Sequence, residues 1–161
     1  MKIIFLDIDG VIKEDKHGEP FLDDSIALLK EITESTGAQI VMSSSWKVKY
    51  KAFVDNGYKT DIEDIISLYN VLKKHGLSVS DYTPYLDIDR TIRRPTEIKE
   101  YLESRNDIES FCILDDRDEF EWGELSEKLV LTFIERNADG VKVAHLTREH
   151  AQMAKRILNG E

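Results

Sequence analysis

The sequence predicts an α/β fold with a mainly parallel central sheet. Three observations point there. Short apolar runs at Lys2–Leu6, 38–42 and 111–114 have the length and composition of strands buried on both faces. Helical patterns separate these runs, as in βαβ units. The runs also end in polar groups, Asp7 and Asp9, Ser43 and Ser44, Asp115 and Asp116. In open parallel sheets ligands bind beyond the carboxyl ends of the strands, so these groups collect at one rim.

The first strand, Lys2–Leu6, runs into Asp7-Ile8-Asp9-Gly10. The alternate spacing directs Asp7 and Asp9 to one side, and Gly10 permits a sharp turn there. Residues 11–21 carry Gly18 and Pro20 among charges and read as a short loop or hairpin. Asp23, Asp24 and Ser25 are candidate N-caps for a helix over 23–35, with Ile26, Leu29 and Ile32 on one face and Gly37 as its stop. The second strand, 38–42, leads into Ser43-Ser44-Ser45-Trp46. A helix follows to about residue 55, closed by Asn56-Gly57. Residues 61–75 read as a helix striped by Ile62, Ile65, Ile66, Tyr69 and Leu72, and Gly76 ends it. Residues 77–93 show no clear pattern. Pro95 opens the next helix at its first turn, with Ile98, Tyr101 and Leu102 inward. The third strand, 111–114, ends in Asp115-Asp116. Residues 128–133 read as a fourth strand and 147–158 as a closing helix.

The 161 residues suit one domain over 1–161, without repeat, linker or low-complexity tract. Asp7 cuts the first apolar run too short for a signal peptide, and no segment approaches a membrane span, so no membrane partner is expected. The lone cysteine, Cys112, lies among Phe111, Ile113 and Leu114 and reads as a buried structural thiol; the absence of a possible internal disulfide fits a reducing, cytoplasmic setting. The formal net charge of −10 argues against a general nucleic-acid binder. Lys47, Lys49 and Lys51 read as a solvated face, whereas Arg90, Arg93 and Arg94 cluster beside the candidate site. Asp118 and Glu119 read as a solvated loop. His17, His75, His145 and His150 lack metal-ligand spacing and read as surface or half-buried. Asp87 and Asp89 repeat the Asp-Ile-Asp pattern without a preceding strand or a following glycine.

Several carboxylates in one crevice need a counter-cation, and hard oxygen ligands that share a phosphate select Mg²⁺. A carboxylate can attack phosphorus, and a second one two residues on can protonate the leaving oxygen and then activate water. Ser43, the backbone near Ser44, and Arg94 ahead of a helix supply donors for phosphoryl oxygens.

These residues resemble the haloacid dehalogenase-type phosphotransferase superfamily. Its first motif is Asp7-Ile8-Asp9-Gly10-Val11, its second Ile40-Val41-Met42-Ser43, its third Arg94-Pro95, and its fourth Ile113-Leu114-Asp115-Asp116, all in the family's order. The Ser-Ser-Ser-Trp-Lys stretch and the Ile-Leu-Asp-Asp run are similar to the small branch found beside RNA-repair enzymes. The resemblance implies a three-layer Rossmann-like (HAD-like) fold and a hydrolase working through an aspartyl phosphate. It implies Asp7 as nucleophile and Mg²⁺ ligand, Asp9 as general acid/base with its carbonyl on the metal, and Ser43 and Arg94 as phosphoryl holders. Asp115 would be the third metal ligand, assisted by Asp116. Ser44 is an alternative to Ser43, and Arg93 to Arg94. The short stretch after Gly10, and the core elements needed between Ser43 and Arg94, leave minimal or no cap. An open site suits a phosphorylated nucleic-acid end, 3′ or 5′, or a partner protein or domain seated over it. A nucleotide or other small phosphometabolite is the alternative substrate, and a non-catalytic metal- or partner-binding module the alternative class. Trp46 either packs at the start of its helix or offers a base a stacking surface.

Overall fold

In the computed structural model, which describes residues 1–14, 18 and 20–161, the chain winds around one five-stranded parallel sheet. The strands are β1 (Lys2–Leu6), β2 (Gln39–Met42), β3 (Val79–Tyr82), β4 (Ser110–Asp115) and β5 (Leu129–Leu131), in the order β3-β2-β1-β4-β5. The helices are α1 (Asp23–Thr36), α2 (Lys47–Asp55), α3 (Glu63–Lys74), α4 (Arg90–Glu103) and α5 (Arg148–Asn159). A hairpin of β6 (Phe133–Arg136) and β7 (Lys142–Ala144) follows β5. His17 and part of the 11–21 loop lie outside the described residues.

β1 is apolar on both sides because both sides are covered. Ile4 and Leu6 join one core with side chains of α1, α2, α3 and α5. Ile3 and Phe5 join a second core with Ile98 and Tyr101 of α4 and with Leu125 of the 3₁₀ turn Gly123–Lys128. Helices on both faces of a parallel sheet make the three-layer Rossmann-like architecture that the alternating pattern predicts. No helix of the described residues is long and apolar enough to cross a membrane.

Four boundaries differ from the sequence reading. β3 is an edge strand of half-buried residues, Val-Ser-Asp-Tyr, and edge exposure erases the apolar signal. α4 starts at Arg90 rather than at Pro95. The Asp89 carboxylate caps it by accepting from the Thr91 N–H at 2.9 Å. Pro95 cannot supply the helical hydrogen bond to the Thr91 carbonyl, and that carbonyl instead accepts from the Glu121 N–H at 3.0 Å. The predicted strand over 128–133 splits. β5 ends at Leu131, Thr132 is held between Asp115 and Gly10, and Phe133 starts the hairpin. The hairpin itself has mostly exposed residues and gave no buried-strand pattern.

Among the described residues, the stretches that would hold a cap are otherwise occupied. Between Gly10 and α1, Lys13 bridges to Asp9 and Phe21. Between Ser43 and Arg94 lie α2, α3 and β3, which are core and sheet elements.

Candidate active site

The strand ladder carries Asp7 and Ser43 one step past β1 and β2. The Asp7 N–H donates to the Leu114 carbonyl and the Ser43 N–H to the Leu6 carbonyl, each at 3.0 Å. Asp7 and Ser43 are thus fixed by sheet hydrogen bonds, beside Asp115 at the end of β4. Gly10 turns the chain with φ +76°, and a Cβ there would come within 2.2 Å of Asp116 Oδ2. Only glycine allows Asp116 to press against this turn. The Thr132 hydroxyl donates to the Gly10 carbonyl and pins the turn from the far side.

One oxygen from each of Asp7, Asp115 and Asp116 lies within 4.8 Å of the others, and all three residues are buried. Arg94 Nη1 bridges two of them, 2.9 Å from Asp7 Oδ2 and 2.7 Å from Asp115 Oδ2. Lys142 of β7 brings Nζ to 2.8 Å from Asp116, and Arg117 stands 3.6 Å from its other oxygen. Burial works against the Arg94 charge, but Asp115 and Asp7 overcome it and hold the guanidinium above its ordinary range. Burial pushes the carboxyls of Asp115 and Asp116 up, and the neighbouring Asp7 adds to it. A buried all-oxygen donor set of this kind fits a hard divalent cation, which would relieve that repulsion.

The Asp9 carboxylate is not part of that three-acid cluster. Trp46 Nε1 donates to Asp9 Oδ2 at 2.8 Å, and Lys13 Nζ lies 3.6 Å from Oδ1. Trp46 packs against the main core, with Phe21 edge-on at 6.2 Å, so it packs as the helix-start reading expects while its N–H holds Asp9. Of the two candidate serines, the buried Ser43 Oγ has no hydrogen-bond partner among the described residues. Ser44 Oγ accepts from the Trp46 N–H at 3.3 Å and shapes the turn into α2. Of the two arginines, Arg94 reaches Asp7, whereas Arg93 donates to the Ile88 carbonyl.

The family profile for the HAD domain in Swiss Army Knife RNA repair proteins matches residues 3–137. The chain belongs to that family. No curated protein and no solved structure matches it. HAD domains of this kind are phosphohydrolases that generally use a divalent metal, and the matched span contains Asp7, Asp9, Ser43, Arg94, Asp115 and Asp116. The match ends before Lys142, so the hairpin lysine on Asp116 lies outside the shared region of this HAD domain.

Two features of the HAD site escaped sequence reasoning. Lys47 is buried rather than part of a solvated face. It pairs with Glu97 and donates to the Thr83 hydroxyl at 3.0 Å, while Glu97 also accepts from the Leu86 N–H at 2.9 Å. This tie joins α2, α4 and the chain after β3. Lys49 and Lys51 are exposed as expected. The second feature is Lys142, whose only signal was a lysine in a polar stretch. Asp118 and Glu119 are exposed, and Asp89 serves as a helix cap. Cys112 is buried, and burial pushes its thiol up.

Proposed function

We propose that this HAD domain is a Mg²⁺-dependent phosphomonoesterase that acts through an aspartyl phosphate at Asp7 on a phosphorylated nucleic-acid end, 3′ or 5′. The observation that carries the reading is the meeting, at the carboxyl end of the sheet, of Asp7, Asp115, Arg94 and a Ser43 hydroxyl without a hydrogen-bond partner among the described residues. Asp7, Asp115 and Asp116, with the Asp9 carbonyl, would hold the metal. When bound, Mg²⁺ neutralises charge on the phosphoryl oxygens.

The residues of the chain then divide the work. A carboxylate oxygen of Asp7 forms a bond to phosphorus as the bond from phosphorus to the leaving oxygen breaks. Asp9, steadied by Trp46, gives its proton to that leaving oxygen. Ser43 Oγ donates to a phosphoryl oxygen, and Arg94 offsets charge there while fixing the Asp7 carboxylate. In the second half, Asp9 takes a proton from water. That water attacks phosphorus, the bond from phosphorus to Asp7 breaks, and phosphate leaves.

The substrate class rests on the family's setting in RNA repair proteins and on a site with no separate cap among the described residues. Phosphate release from 3′- and 5′-phosphorylated oligonucleotides and from mononucleotides, each with Mg²⁺ and with EDTA, tests it. The expected result is Mg²⁺-dependent release that favours an oligonucleotide and that Asp7→Asn abolishes with the fold intact. Equal release with EDTA, or full activity of Asp7→Asn, contradicts the mechanism. A preference for mononucleotides contradicts the substrate class.

A further inference from the structure

A cavity of about 140 Å³ opens from Ser43 and Arg94 along the amino-terminal turns of α4, and Lys47, Tyr85, Arg90 and Arg93 continue its wall. Its cations fall into two groups. Arg94 is matched by Asp7 and Asp115, Lys47 by Glu97, and Arg117, which also lines the cavity, by Glu119 and Asp116. Arg90 and Arg93 make no ion pair with a carboxylate among the described residues, in a chain with ten more acids than bases. Asp89, the acid just before them, accepts from the N–H and hydroxyl of Thr91.

Arg93 is nonetheless held in place. Its Nε and Nη2 donate to the Ile88 carbonyl at 3.2 and 2.7 Å, and its guanidinium lies over the Tyr85 ring, 5.4 Å from the centroid. Nη1 donates to no group among the described residues. A guanidinium already ordered by a carbonyl and an aromatic ring loses little freedom when it binds an anion. Arg90 lies on the exposed start of the same helix. Tyr85, exposed at 56%, adds a flat apolar wall beside the two charges.

We propose that this cavity is a second phosphate subsite: Arg90 and Arg93 bind a phosphate that flanks the one at Asp7, with Tyr85 against the intervening sugar or base. The proposal rests on the reading of Asp7 and Arg94 as the phosphoryl site and specifies its substrate as one carrying two phosphates in sequence. That second phosphate has two sources, a nucleoside 3′,5′-bisphosphate or the phosphodiester next to the phosphorylated end of an oligonucleotide.

The test is calorimetric binding to the full Asp7→Asn chain with Mg²⁺ present. Adenosine 3′,5′-bisphosphate and the 3′- and 5′-phosphorylated adenosine dinucleotides are compared with the two adenosine monophosphates. The expected result is that at least one two-phosphate probe binds about tenfold tighter than the monophosphates, or better, and that added salt erodes this advantage. Adding Arg90→Ala and Arg93→Ala should reduce the ratio to about twofold or less. An advantage for bisphosphate and dinucleotides alike supports a subsite that needs only the second phosphate. An advantage for dinucleotides alone supports one that reads the nucleic-acid backbone. A ratio near one in the Asp7→Asn chain, or a ratio unchanged by the two arginine substitutions, overturns the subsite. Failure of the wild-type chain to release phosphate from any ester would overturn the phosphatase reading separately, whatever the binding ratio.

Discussion

At the scale of single residues, the carboxylates of the rim are held by different kinds of donor. Asp7 and Asp115 share one guanidinium nitrogen, whereas Asp9 is held by an indole N–H. Trp46→Phe keeps the ring against Phe21 and the core but removes the donor to Asp9. The expected result is a loss in kcat of about tenfold, part of the full contribution of a general acid, with the melting temperature changed little. Steady-state kinetics and thermal melts on the same preparation check both halves. The acidic groups of this site were legible in the sequence because Asp7 and Asp9 alternate ahead of a glycine and Asp115 and Asp116 follow directly on an apolar run. The choice between Ser43 and Ser44, and between Arg93 and Arg94, was not legible. Neighbouring residues at a strand end or on a helix differ by where the side chain points, and that depends on the register of β2 with β1 and on a helix that starts at Arg90. Lys142 was invisible because it meets Asp116 across a hairpin that sequence alone does not fold back.

At the scale of elements, β1, β2 and β4 were readable because burial on both faces demands continuous apolar runs. The edge strand β3 and the hairpin β6–β7 were not, since half-buried or exposed residues carry no such run. Pro95 misled for a physical reason: proline favours a first turn, but here an outside N–H satisfies the carbonyl that proline leaves unpaired. The closing helix, α5, makes a pH prediction of its own. Its capping box uses the Thr147 hydroxyl, which accepts from the His150 N–H, and His150 Nδ1, which accepts from the Thr147 N–H at 3.2 Å. Burial is the first cause that lowers the His150 pKa below its usual 6.5, and protonation would also remove the Nδ1 acceptor. A group that prefers its neutral form in the fold lends full stability above its unfolded pKa. That stability is lost as the pH falls below about 6.5 through the folded value. With Mg²⁺ present, melting temperatures between about pH 7.5 and 5.5 should fall more steeply for the wild type than for His150→Gln, whose amide oxygen can still accept. Parallel slopes would contradict this.

At the scale of the whole molecule, the three buried carboxylates of the rim would couple the proposed metal binding to folding. Burial disfavours the charged forms of Asp115 and Asp116, and Arg94 and Lys142 offset this only in part. Mg²⁺ should therefore raise the melting temperature, with about 2.7 kcal/mol of added stability at a hundredfold excess over Kd. The rise should be larger near pH 8 than near pH 5, where protons compete for the same oxygens, roughly as ligand deprotonation requires. Differential scanning calorimetry across Mg²⁺ concentrations checks this, and an equal rise for Asp116→Ala would contradict it. The whole-molecule charge of −10 bears on substrate rather than on fold. It works against binding of a long polyanion, whereas the cavity beside Ser43 is lined by Arg90, Arg93 and Arg94, so the proposed nucleic-acid substrate would be held at its phosphorylated end. The proposed aspartyl phosphate is one covalent bond, and it can be read directly. Borohydride reduces an acyl phosphate to an alcohol, so quenching turnover of a phosphorylated oligonucleotide with borohydride and mapping peptides by mass spectrometry tests for phosphate on a carboxylate. The account predicts reduction of the side chain at position 7, dependent on both substrate and Mg²⁺. Reduction at another carboxylate, or none at position 7 during active turnover, would contradict it.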